Sequence, residues 1–119
     1  MSRFRFGSIL IATGALAALA VTVAVQAAPA PQRVAVAASE FKFTVKPKTV
    51  KKNVAVIFTV SNRGSVAHDF RVGGKKTAVI GAGKRGTVRV TFKKAGRYRY
   101  ICTLPSHAVA GMAGTLVVK

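Results

Sequence analysis

The chain has 119 residues, room for one domain, and carries 20 Lys+Arg against 2 Asp+Glu for a formal net charge of +18. Its only carboxylate side chains are Glu40 and Asp69, which excludes a paired-carboxylate glycosidase, a hard-cation calcium site and a di-metal hydrolase. The single cysteine, Cys102, excludes an intramolecular disulfide, and no G-x-S-x-G elbow is present.

The first segment reads as an address. Arg3 and Arg5 form a short positive region, the run Ile9 to Val25 is mostly apolar and uncharged, and Val25-Gln26-Ala27 presents small residues to a signal peptidase. Residues 1–27 are therefore expected to be a signal peptide cut after Ala27. The run is slightly short of the about 18 apolar residues of a spanning helix; an uncleaved anchor is the alternative. Phe4 separates the two arginines, so the signal is not of twin-Arg type, and no cysteine follows the run to carry a lipid. The expected route is general secretion to the periplasm or exterior. Loss of Arg3 and Arg5 lowers the +18 by two, to +16. Such a surface attracts acidic proteins and anionic membrane or cell-wall polymers. Nucleic acid is not an expected partner, since the sequence has neither a basic helix nor a zinc finger.

Ala28 to Gln32 reads as a short extended linker, and residues 28–39 as linker plus first strand. From Arg33 onward the pattern has period two. Val34 and Val36 open a strand, and Phe41, Phe43 and Val45 continue the alternation past Ser39. Val54, Val56, Phe58 and Val60 share a face. His68, Phe70 and Val72 alternate against Asp69 and Arg71. Val88, Val90 and Phe92 point inward with Arg89 and Thr91 outward; Tyr98, Tyr100 and Cys102 share a face opposite Arg97 and Arg99; Leu116 and Val118 close the chain. Nine of the 11 glycines fall from Gly64 to Gly114, mostly between these runs. Short strands with turn signals at about 8–12-residue spacing predict an all-β sandwich or barrel.

The chemistry gathers near the end, in Cys102-Thr103-Leu104-Pro105-Ser106-His107-Ala108-Val109-Ala110-Gly111-Met112, a C-x4-H-x4-M spacing. Pro105 and Gly111 suit a loop that folds back, bringing three soft or borderline ligands together. His68 is the other histidine of the chain. Taken singly, each residue has a plainer role: a buried cysteine is a small hydrophobe, a methionine is core filler, and a histidine is a hydrogen-bonded rim residue. Together, one thiolate, two imidazoles and a thioether make the copper electron-transfer set, a trigonal His2Cys plane with a weak axial Met.

From about Glu40 to Lys119 the sequence resembles the cupredoxins, the family of plastocyanin, azurin and rusticyanin. The resemblance lies in Asn62-Arg63-Gly64 before Val66-Ala67-His68-Asp69-Phe70, in Tyr98-Arg99-Tyr100-Ile101-Cys102, and in His107 to Met112 running into Gly114-Thr115-Leu116-Val117-Val118. The x4/x4 loop is similar to that of rusticyanin and sulfocyanin-like proteins and longer than the C-x2-H of plastocyanin. The resemblance implies a Greek-key β-sandwich over 40–119, with one type 1 copper ion near one end. It also implies ligation by His68 Nδ1, Cys102 Sγ, His107 Nδ1 and Met112 Sδ. Plastocyanin has Asn where this chain has Asp69. That carboxylate is placed to tie the ligand loops by bonding near Thr103, and its charge favours Cu(II).

The expected function is a monomeric, non-enzymatic, one-electron carrier between redox partner proteins, acidic ones among them. His107, flanked by Pro105, Ala108, Val109 and Ala110, is the expected electron exit under an apolar docking patch. The alternative is a copper-handling protein that stores or delivers the ion without redox turnover. A Cys102–His nucleophilic site and a zinc site are weaker readings. A multicopper oxidase needs further histidines and a second domain, and a binuclear CuA centre needs two cysteines.

Overall fold

The computed structural model describes Arg3 and residues 7–119; Arg5, part of the expected signal segment, lies outside the described residues. Residues 7–30 are exposed and carry no regular secondary structure. Among the described residues no helix is long and apolar enough to cross a membrane.

Nine strands follow: β1 (Gln32–Ser39), β2 (Lys42–Lys46), β3 (Thr49–Val50), β4 (Val56–Asn62), β5 (Arg71–Val72), β6 (Lys75–Lys76), β7 (Arg85–Val90), β8 (Gly96–Ile101) and β9 (Ala113–Val118). They form a four-stranded sheet of order β2-β1-β4-β7 and a five-stranded sheet of order β3-β9-β8-β5-β6. The fold is all-β, and of the sandwich or barrel that the period-two pattern predicts it is the two-sheet sandwich. β1 sits between β2 and β4, antiparallel to the first and parallel to the second, so the packed unit begins at Gln32, ahead of the stretch that carries the family resemblance.

The alternation produces the core directly. In β4, Val56, Phe58, Val60 and Asn62 are buried while Ile57, Thr59 and Ser61 are only half-covered. Val34 pairs across to Phe58, and Phe58 to Val88, giving a continuous apolar row on the inner face. Fully burying each such side chain is worth about 1.5–3 kcal/mol. From the second sheet come Val72, Tyr100, Leu116 and Val118.

An aromatic group lies beneath the end of the sandwich where the candidate ligands gather. Phe70 packs against Phe43, Phe58 and Tyr100 with ring centroids at 5.2, 5.4 and 5.4 Å. Because strand side chains repeat every second residue, Phe70 shares a face with His68, and Tyr100 with Cys102. Gly114 pairs with Tyr100 across β8 and β9, and a Cβ there would overlap the phenol oxygen. Gly114→Ala is therefore expected to push Tyr100 off Phe70 and to destabilise the apo-protein by about 1–3 kcal/mol. Urea denaturation checks this; an unchanged midpoint would show that the ring has room to move.

Three positions depart from the period-two reading. Val54 precedes β4 rather than belonging to it, and is half-buried. Asp69, placed outward by the alternation against Phe70, is 1% exposed, because its carboxylate accepts bonds from Thr103. Phe41, placed on the inner face, is 42% exposed. Ser39 pairs with Lys42, so Glu40 and Phe41 form the two-residue turn of a hairpin, and their side chains project past the sheet end.

Candidate metal centre

His68 is held from both sides before its ring is considered. Its N–H donates to Ile80 O at 3.1 Å, and Ile80 N–H donates back to His68 O at 2.7 Å. The preceding loop is bracketed by buried Asn62. Its amide nitrogen donates to Val66 O at 2.8 Å and Ile80 O at 2.9 Å, and its amide oxygen accepts from Gly64 N at 2.9 Å. One side chain thus closes the Asn62–Val66 turn and ties it to the isolated bridge between His68 and Ile80. No buried side-chain nitrogen or oxygen lacks a partner among the described residues.

Cys102 follows β8 directly, and its loop folds back as the C-x4-H-x4-M spacing requires. Cys102 N donates to Met112 O at 3.1 Å, and Met112 N donates to His107 O at 3.1 Å. His107 N donates to Leu104 O at 3.2 Å and Ala110 N to Ser106 O at 3.1 Å. Gly111 has φ +120°, a conformation that favours glycine, and a Cβ there would lie a tight 3.1 Å from Phe41 O. Ser106, with φ 68°, supplies a second left-handed turn that no residue type announced.

The ligand atoms of His68, Cys102 and His107 all lie within 4.8 Å of one another. His68 Nδ1 is 3.1 Å from His107 Nδ1, and Cys102 Sγ is 3.4 Å from the same nitrogen. Two imidazole nitrogens on one tetrahedral first-row ion lie about 3.3 Å apart, and a thiolate and an imidazole about 3.5 Å, given metal–nitrogen and metal–sulfur lengths of about 2.0–2.1 and 2.3 Å. The residues fit a single small, soft-to-borderline cation. His68 and Cys102 are buried and His107 is half-buried. Met112 is fully buried at the return of the loop.

Around the three, polar groups are arranged with care for the sulfur and for His68. Asp69 N donates to Cys102 Sγ at 3.5 Å. Asp69 Oδ1 accepts from Thr103 N at 2.6 Å, and Oδ2 from the Thr103 hydroxyl. The His68 and Cys102 loops are thereby tied together, as expected from Asp69 standing in an asparagine position. Burial pushes the Cys102 thiol above its usual range, with the nearby Asp69 charge adding to it and the backbone donors of Asp69 and Leu104 opposing it. A bound cation reverses that balance, since a coordinating thiol is deprotonated outright.

Two residues of the surroundings were not singled out in the sequence, and both come from the β1–β2 turn. Phe41 packs edge-on to His107 with ring centroids 5.0 Å apart. Glu40 Oε1 lies 3.2 Å from His68 Nε2. The available signal was scarcity: with two carboxylates in the chain, each invites a reason.

The family of copper binding proteins described as plastocyanin/azurin matches residues 21–119. The chain belongs to that family. Copper is accordingly its cofactor, and the His2Cys cluster has the make-up of a type 1 site. Auracyanin-B of Chloroflexus aurantiacus is 50% identical over 42 residues, a stretch covering 35% of this chain and 18% of that protein. A solved structure of auracyanin B superposes with a TM-score of 0.64 at 26% identity, covering 80% of this chain and 93% of that one. The copper-resistant cuproprotein CopI of Rubrivivax gelatinosus is 30% identical over 115 residues, covering 78% of this chain and 70% of the relative. Cytochrome c oxidase subunit 2 of Thermus thermophilus is 35% identical over 99 residues, covering 80% and 71%. This cupredoxin has one cysteine, so a two-cysteine CuA centre cannot form in it.

Proposed function

We propose that the protein is an exported one-electron carrier whose copper is held by His68 Nδ1, Cys102 Sγ, His107 Nδ1 and Met112 Sδ. The observation that carries this reading is the convergence of one thiol and two imidazoles within 4.8 Å on two mutually tied loops. Bound copper would supply the one-electron couple. The chain's own residues do the rest. Cys102 and His68 are shut off from water, and backbone bonds at Cys102, His107 and Met112 resist any change of ligand spacing. A framework that keeps one geometry in both oxidation states keeps reorganisation small. His107 is the ligand with access to solvent. Beside it Val109 is 94% exposed and Phe41 42% exposed, an apolar rim suited to a partner's approach. Export rests on the sequence of residues 1–27, in which Ile9, Leu10, Ile11, Leu16, Leu19, Val21, Val23 and Val25 are exposed.

A copper-handling role is the second reading, favoured by the name of the CopI relative. The two differ in whether metal leaves. Cu(II) added to apo-protein should give an intense blue colour, and voltammetry should show a reversible couple with no loss of copper over many cycles. Release of Cu(I) to a chelator on each reduction would instead support handling. The same cell tests the axial position. Met112→Gln should lower the potential and Met112→Leu should raise it, because thioether is a weak donor that favours Cu(I). Unmoved potentials in both variants would make Met112 a packing residue.

A further inference from the structure

Glu40 is one of the two acidic residues of the chain. It sits in the β1–β2 turn, yet Oε1 accepts from Ser65 N at 2.8 Å, from Val66 N at 2.9 Å, and meets His68 Nε2 at 3.2 Å. Two backbone donors and one imidazole nitrogen from another part of the chain converge on one oxygen. Space has been left for it as well, since a Cβ on Gly64 would overlap the carboxylate. Among the described residues the one Lys, Arg or His within salt-bridge distance of Glu40 is His68, although 20 Lys and Arg were available in the chain.

We propose that Glu40 is a positioning residue for copper, which fixes His68 as the Nε2–H tautomer and biases the centre toward Cu(II). This rests on His68 being a ligand through Nδ1. A carboxylate accepts and never donates when ionised. The proton at the Glu40–His68 contact therefore belongs to Nε2, and Nδ1 is left with its lone pair directed at His107 and Cys102. A carboxylate behind a ligating imidazole fixes the ring and raises its basicity. With the metal absent, the proton between the two Nδ1 atoms, 3.1 Å apart, must then reside on His107. The negative charge also acts through the ring, and it stabilises the more highly charged oxidation state. Because the Glu40 side chain keeps 29% of its surface exposed, solvent screens part of that effect. With Asp69 bound to Thr103, both carboxylates of the protein serve the two ligand loops.

Three measurements test the assignment. In apo-protein with neutral imidazoles, nitrogen NMR should find His68 as Nε2–H and His107 as Nδ1–H. This readout is independent of copper. In the copper form, Glu40→Gln keeps an acceptor for both amides and for His68 while removing the charge. Its blue spectrum should persist, and the preference for Cu(II) over Cu(I) should fall about tenfold, a rise of about 59 mV for one electron. Gly64→Ala, which evicts the carboxylate without altering Glu40 or His68, should raise the potential in the same direction. An apo wild type with His68 as Nδ1–H, or a Glu40→Gln protein at the wild-type potential, overturns the proposal. A wild type that never turns blue would instead overturn the copper-ligand reading on which it rests.

Discussion

Cys102→Ser should abolish the blue colour outright and weaken copper binding by more than about 100-fold, while the sandwich still folds. Intense visible absorption requires charge transfer from a thiolate, and no second cysteine exists to supply one. Serine replaces a soft ligand by a hard one that is not ionised near neutrality, and softness is what selects copper at such a site. Losing one outer-shell partner typically costs 10–100-fold in metal affinity, so losing a direct ligand costs more. Folding should survive because the replacement is nearly isosteric and the new hydroxyl has partners. Asp69 N, 3.5 Å from the sulfur, can donate to its oxygen, and so can His107 Nδ1–H beside it. A penalty of about 1–3 kcal/mol for imperfect satisfaction is within the 5–15 kcal/mol of a typical domain. Absorption and circular dichroism of the copper-treated variant check both halves. Blue colour in Cys102→Ser would remove Cys102 from the site; an unfolded variant would make the thiol part of the core's structure.

The candidate ligands were legible because each falls at a position where local pattern and topology agree. Cys102 directly follows a strand whose alternation, Tyr98-Tyr100-Cys102, points inward, and His68 stands two residues before Phe70 on an inner face. What local pattern could not show is contact made at the ends of strands. Phe41 and Glu40 occupy a two-residue turn, where the sheet no longer dictates the side to which a side chain points. They turn instead to the two histidines, Glu40 to His68 and Phe41 edge-on to His107 and, farther off, to His68. Asp69 escaped the alternation because a carboxylate with two donors on Thr103 is satisfied inside, so burial no longer demands an apolar residue. Ser106 is a similar case, since its left-handed backbone follows from closing the ligand loop and not from its own preference. Pairing β1 parallel to β4 also requires knowledge of what lies between distant segments, which period two does not contain.

Electron transfer to an anionic partner should slow by about 10–100-fold as ionic strength rises from about 0.01 M to 0.5 M, because the Debye length shrinks from about 30 Å to a few ångströms. The basic surface is nearly uncompensated. Both carboxylates lie at the copper end, bound to His68 and Thr103, while residues such as Lys52, Lys93, Arg97 and Arg99 are exposed. Long-range attraction sets the encounter rate and salt removes it. The docked complex is a separate matter. With His107 as the proposed exit, it would depend on dry contact at Val109 and Phe41 around that half-buried ring, and an apolar contact is hardly screened. Val109→Asp should therefore slow transfer at every salt concentration, since a carboxylate must be desolvated without a partner when the patch closes. Thr91→Asp makes the same charge change at an exposed position beyond β7, where Asn53 N meets Phe92 O at the far end of the sandwich, and it should slow only the low-salt rate. Stopped-flow kinetics over a salt series for the three proteins separates steering from docking. A wild-type rate indifferent to salt would mean that the basic surface does not steer redox partners. Equal rates for Val109→Asp and Thr91→Asp at high salt would place the electron exit away from His107.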